Sequence, residues 1–194
     1  MASTMDRREA IKTVSMLLGG AFATSSGLLG AVERAHARSK NLQQVGAFTA
    51  QDIALLDEVA DTILPETKTP GAKAAHTGAF MALMVTDTYS DRDAATFRDG
   101  LKQLSGGGFM QLAPPQRTAR LEQLDREAKT YMDARAPGGG TPSHFFRLMK
   151  ELTLLGYFTS EIGVTQAQRY RETPGRFDPC EPYTPGESAW AGHA

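Results

Sequence analysis

The chain has 194 residues, 41% of them hydrophobic, with 21 basic and 22 acidic side chains and a formal net charge of −1. That balance, with no basic stripe interleaved with aromatics beyond the N-terminal segment, excludes a nucleic-acid-binding footprint. A single cysteine, Cys180, excludes an internal disulfide and every metal site built on clustered thiolates.

Residues 1–37 read as an export signal. Asp6, Arg7, Arg8, Glu9, Ala10, Ile11 and Lys12 precede a mildly apolar run over residues 14–32, and small residues follow it. Gly19, Gly20, Thr24, Ser25, Ser26, Gly27 and Gly30 dilute that run, whereas a membrane anchor needs about 20 continuous apolar residues. An uncleaved anchor, or an ordinary helix packing Met16, Leu17, Phe22, Leu28 and Leu29, are the alternatives. Arg7 and Arg8, with Ile11 and Lys12 behind them, resemble the twin-arginine signal. The resemblance implies the twin-arginine export machinery, a cargo that crosses the membrane folded, and a periplasmic destination. Ala35-His36-Ala37 is preferred over Ala21-Phe22-Ala23 as a cleavage point, and retention of the leader is the third outcome. What remains, about 155 to 160 residues, is enough for one domain with a real core but rarely for two.

After a polar linker over residues 38–48, a helical domain is expected over residues 49–170. Thr49 can cap a first helix with Asp52 reaching back to it. Ile53, Leu56, Ala60 and Ile63 then recur at helical spacing, and Pro65 stops the helix. Pro70-Gly71 centres a turn. A second helix, residues 72–89, carries His76, which without a partner at helical spacing reads as a hydrogen-bonded structural group. Asp87, Asp91 and Asp93 lack the central glycine and the final glutamate of a calcium loop. Ser90 instead caps a third helix, residues 91–104, with Asp91 and Asp93 favoured by its dipole. Gly106-Gly107-Gly108 has neither the preceding strand nor the following lysine of a phosphate loop. Pro114-Pro115 introduce a polar helix, residues 116–132. Thr141 is the expected cap and Pro142 the first residue of the next helix, which runs to Tyr157 and whose apolar residues are too many for one stripe. It is therefore the core helix, or it buries two faces, one of them on a partner. A helical restart follows Ser160 and reaches Tyr170. The fold class is all-α, a compact bundle of five or six helices.

Residues 171–194 form an extended tail. Four prolines and three glycines (Pro174, Pro179, Pro182, Pro185; Gly175, Gly186, Gly192) argue against regular structure. Phe177, Tyr183 and Trp190, following Tyr170, argue against plain disorder. The tail is expected to lie across a surface, its own or a partner's. Cys180 either bridges to another chain or packs as a small hydrophobe under Phe177 or Tyr183.

The stretch Leu55-Leu56-Asp57-Glu58-Val59-Ala60-Asp61-Thr62-Ile63-Leu64-Pro65 with Thr69-Pro70-Gly71-Ala72 resembles the opening signature of the gluconate 2-dehydrogenase subunit 3 family. Gly156-Tyr157-Phe158-Thr159-Ser160-Glu161-Ile162-Gly163 is similar to its second signature, and Pro174-Gly175-Arg176-Phe177-Asp178-Pro179-Cys180 to its ending. The resemblance implies a non-catalytic small subunit that stabilises a large flavoprotein of the glucose-methanol-choline type and lends it the export leader. FAD would sit in that partner, a cytochrome c is a candidate electron acceptor, and the substrate would be a sugar, sugar acid or glucoside. The expected partner interface comprises Tyr157, Phe158, Ser160, Glu161, Tyr170, Phe177, Cys180, Tyr183 and Trp190, with Cys180 available for an intersubunit disulfide. No Rossmann fingerprint or haem-attachment motif occurs in the chain itself. An exported helical binding or structural protein acting alone is the alternative. So is a free-standing enzyme using His76 or His144.

Overall fold

The computed structural model describes residues 44–134, 142–171 and 184–191, together with Arg34, Gly175, Cys180 and Pro182. The leader, with Arg7, Arg8, Ile11 and Lys12, lies outside the described residues, as do Phe177 and Tyr183. The architecture is all-α. Between residues 44 and 171 of the described chain, five α-helices follow in order: α1 Ala50–Ile63, α2 Thr77–Thr88, α3 Asp91–Gly106, α4 Pro114–Asp133 and α5 Phe145–Phe158. A 3-10 turn, Phe109–Gln111, separates α3 from α4, and a π-helical turn, Gly163–Ala167, follows α5.

The start of α1 is the capping box expected from Thr49 and Asp52. The Asp52 amide donates to Thr49 Oγ1 at 3.2 Å and the Thr49 amide donates to Asp52 Oδ2 at 2.9 Å. Ser90 caps α3 through the Asp93 amide at 3.2 Å. Pro114 and Pro115 lie inside the first turn of α4 rather than before it, because a proline there forfeits only an amide that has no helical acceptor. Gln116 Oε1 accepts from the Ala113 amide at 3.0 Å.

Two further starts differ from the sequence reading. Helix α2 begins at Thr77, not at residue 72. Residues 71–77 form a tight turn in which the Ala74, Ala75 and His76 amides bond back to Gly71, Ala72 and Lys73. His76 takes φ +53°, the left-handed conformation that ends this turn. Helix α5 begins at Phe145, with His144 as its cap and Pro142 outside it. The imidazole Nδ1 accepts the Phe146 amide at 3.2 Å, the role assigned from sequence to Thr141.

Helix α2 is the buried rod of the bundle. Every residue from Thr77 to Val85 is buried, so its sequence is apolar on all sides and shows no stripe. Helix α1 covers one side of it and α5 another. Helix α5 touches all four other helices, so the core role expected of it holds in that sense. The core gathers Leu56, Val59, Phe80, Met81, Leu83, Phe97, Phe109, Leu124, Phe146 and Met149, and Phe48, from just before α1, meets Phe97 edge-on at 6.1 Å.

Helices α1 and α2 approach closely at Gly78. A Cβ there would lie 2.7 Å from both the Asp57 amide nitrogen and the Ile53 carbonyl oxygen, atoms that cannot move without displacing α1. Gly78→Ala is therefore expected to lower stability by about 3 kcal/mol, the upper end of overpacking costs. Gly106→Ala, where a Cβ meets nothing within 4 Å, should be neutral or mildly stabilising. Urea-denaturation midpoints of the two variants test the contrast.

Candidate functional site

The two sequence stretches that stand out, residues 55–72 and 156–163, are far apart in the chain and meet in the fold. The Tyr157 hydroxyl donates to the Pro70 carbonyl at 2.7 Å. One residue earlier, Gly156 lets α5 lie against α2. A Cβ at that position would fall 2.7 Å from the Phe80 ring and 3.1 Å from the Thr77 methyl. The junction of α1, α2 and α5 is thus a single node built from both stretches.

Its electrostatic part comes from α1. Asp57 and Asp61 stand one turn apart and both accept amides of the segment leading into α2. Asp57 Oδ1 takes the Gly78 amide at 2.8 Å, and Asp61 Oδ1 takes the Lys73 amide at 3.2 Å. His76 provides no side-chain cap for α2, so Asp57 caps that helix from the neighbouring one. Burial pushes the Asp57 carboxyl above its ordinary value, against the lowering effect of the Gly78 hydrogen bond and of His76 and Lys73. Glu58 pairs with both Lys73 and Arg117. Its carboxyl is held below the ordinary value chiefly by the Lys73 hydrogen bond, against the opposing effect of burial, with the charges of Lys73 and Arg117 adding to the lowering. Arg117 also donates to the Met110 carbonyl at 2.9 Å and lies over the Phe109 ring at 5.7 Å, tying α4 and the 3-10 turn to α1.

Within residues 156–163 the side chains divide by direction. Tyr157 is buried, 4% exposed, and Ser160 is buried beside it. The Ser160 hydroxyl donates to the Tyr157 carbonyl at 2.7 Å and accepts the Gly163 amide at 3.0 Å. This turn admits no side chain at position 163, where a Cβ would lie 1.9 Å from the Tyr157 oxygen. Phe158, 39% exposed, and Glu161 face outward, and Leu154, 38% exposed, stands one turn before Phe158 on α5. Of the residues expected to touch a partner, Phe158, Glu161, Tyr170, Cys180 and Trp190 are exposed, whereas Tyr157 and Ser160 face the interior. Cys180 is exposed; Phe177 and Tyr183, the rings it was expected to pack under, lie outside the described residues. Leu154 escaped the sequence reading because a leucine in so apolar a helix gives no sign of which side it faces.

The two histidines considered as catalysts occupy helix starts. His144 uses Nδ1 as an acceptor for a backbone amide, stacks on Phe145 at 4.7 Å and lies 5.7 Å from the Tyr131 ring. Its burial lowers its pKa. His76 is exposed at the mouth of α2. Among the described residues no group of three or more His, Cys, Asp or Glu side chains could hold a metal ion. No helix among them is long and apolar enough to cross a membrane.

Residues 50–175, more than half of the chain, match the family model described as Gluconate 2-dehydrogenase subunit 3. Neither the curated proteins nor the solved structures compared with this chain contain a match.

Acid should weaken this region in two separable steps. His144 has a folded pKa below its ordinary 6.5, so its contribution is complete above pH 6.5 and is lost as pH falls through the folded value. Protonation would also place a positive charge at the α5 N-terminus. Glu58 has a folded pKa below 4.5, so its contribution is complete above pH 4.5 and is lost through its own lower folded value. Asp57, raised above 3.8, runs in the opposite sense and offsets part of that second loss. Melting temperatures across pH 7 to 3 are expected to show both steps (order-of-magnitude window). His144→Asn, which keeps an acceptor at the cap, should remove the upper step. Glu58→Gln should flatten or invert the lower one. Tyr157→Phe, which leaves the Pro70 carbonyl without its donor, is expected to cost about 1–2 kcal/mol at neutral pH.

Proposed function

We propose, because this chain belongs to the gluconate 2-dehydrogenase subunit 3 family, that it is the non-catalytic small subunit of a periplasmic, FAD-dependent dehydrogenase acting on a sugar, sugar acid or glucoside. In this reading a large flavoprotein of the glucose-methanol-choline type holds the FAD and performs the oxidation, and a cytochrome c is a candidate acceptor. The present chain stabilises that partner and, through Arg7, Arg8, Ile11 and Lys12, carries it folded to the twin-arginine export machinery.

The division of labour in residues 156–163 is the observation that best supports an accessory role. Gly156, Tyr157, Ser160 and Gly163 are spent on the internal node, while Phe158 and Glu161, with Leu154, are left on the outside. The residues of the opening stretch are likewise committed to structure: Asp57 to capping α2, Asp61 to the turn, and Glu58 to Lys73 and Arg117. Exposed aromatic and aliphatic side chains beside a rigid turn suit a subunit interface better than a reaction centre. In this reading Cys180, which is exposed, is the candidate for an intersubunit disulfide in an oxidising compartment.

Purification of the C-terminally tagged chain from its native cell tests the reading. A flavin spectrum and a much larger co-eluting chain are expected, with the flavin bleached by the substrate. A colourless protein eluting alone would overturn it. Phe158→Asp should weaken the complex about tenfold to a hundredfold without changing the helical circular dichroism. Arg7→Lys combined with Arg8→Lys should leave both subunits in the cytoplasm, and continued export of the large subunit would remove the escort role. On a non-reducing gel, a Cys180 bridge appears as a band at the summed mass that Cys180→Ser abolishes.

A further inference from the structure

Arg169, just past the π-helical turn, collects four contacts from residues close to the C-terminus. Its amide donates to the Ala189 carbonyl at 2.9 Å, and its carbonyl accepts the Ala191 amide at 2.8 Å. These two bonds flank Trp190 and make a parallel bridge between Arg169 and Trp190. The guanidinium donates from Nη1 to Glu187 Oε2 at 2.9 Å, and it lies 4.4 Å from the Trp190 ring centroid. Ala191 is buried, in a segment whose neighbours from Thr184 to Trp190 are exposed.

We propose that residues 187–191 form a latch, folded back on Arg169, that fixes the C-terminal segment to the helical domain and presents Trp190 at a set position on its surface. Arg169 is the positioning residue, because backbone, charge and ring contacts all converge on it. An exposed ion pair or an exposed cation–π contact is weak when it stands alone. Here both are made by a residue whose backbone is already paired, so little further ordering is needed to form them. The two backbone bonds give the segment its direction, and the guanidinium lies over the indole. Trp190 remains 45% exposed. The latch is a property of the single chain and does not depend on the identity of a partner.

Trp190 is the only tryptophan in the chain, so tryptophan-selective fluorescence of the purified full-length protein reads the latch directly. In the native protein, acrylamide is expected to quench Trp190 less than it does in the urea-unfolded chain. Arg169→Ala should shift the emission to the red and abolish that protection while the far-ultraviolet circular dichroism stays helical. Ala191→Pro provides an independent check. It removes the amide that donates to the Arg169 carbonyl, and it lies beyond the helices, so it cannot unfold them. A red shift with lost protection in Ala191→Pro supports the latch even if Arg169→Ala proves unstable. Native quenching equal to that of the unfolded chain, or no change in either variant, would overturn it.

Discussion

The fold depends on how α2 begins. A helix buried on every side over residues 77–85 cannot leave its leading amides to water, and an unpaired buried amide is costly. Its own preceding residue, His76, is turned into the left-handed conformation by the tight turn before it and offers no side-chain acceptor. The acceptor comes from α1, where Asp57 reaches the Gly78 amide. That contact requires the two helices to touch, and Gly78 permits it by having no side chain. The arrangement carries a cost, since Asp57 is desolvated enough for its pKa to rise. The helix dipole and the nearby positive groups offset part of it.

Around that contact the remaining polar groups of α1 organise the rest of the molecule. Asp61 holds the turn that delivers α2. Glu58 gathers Lys73 from the turn and Arg117 from α4, and Arg117 continues to the 3-10 turn through Met110 and Phe109. On the other side of α2, Tyr157 fastens α5 to the Pro70 carbonyl. Acidic residues that a reader of the sequence could take for a reaction centre are therefore the joints of a scaffold. Helix α5 carries the consequence outward. With Tyr157 and Ser160 locked inward, Phe158 and Glu161 are held at fixed positions on the surface, so that under the proposed function a docking partner would meet a face already ordered within this chain.

Much of the helical plan was legible in the chain because it rests on local chemistry. The capping box at Thr49 and Asp52, the cap at Ser90 and the break at Pro65 are each written in a few adjacent residues, and they appear where expected, whereas α3 runs on to Gly106, two residues past its expected end at Leu104. The starts of α2 and α5 were misplaced for the opposite reason. The cap of α2 is an aspartate 21 positions away, and the acceptor at α5 is an imidazole, a group not among the favoured N-caps. The apolar surplus of residues 145–158 could be counted from sequence. Which of its members face out could not, since that depends on what stands opposite Leu154, Tyr157 and Phe158 in the folded chain.

The sequence by itself determined the all-helical class and the stop of α1 before Pro65, whereas the helical restart after Ser160 ends at Ala167 rather than at Tyr170 as expected. Capping, proline geometry and 3.6-residue periodicity act over a few residues and need no tertiary partner. The two stretches over residues 55–72 and 156–163, and their order, were also visible there, and their resemblance to known signatures pointed to the family. Only the tertiary structure decided that these stretches are one junction, that Tyr157 and Ser160 belong to its interior, and that the aromatic tail returns to Arg169. Each of those outcomes is a contact between residues distant in sequence, or a choice of face made by packing. Burial is a property of what lies across a gap, and a linear pattern carries no record of it until the chain has closed.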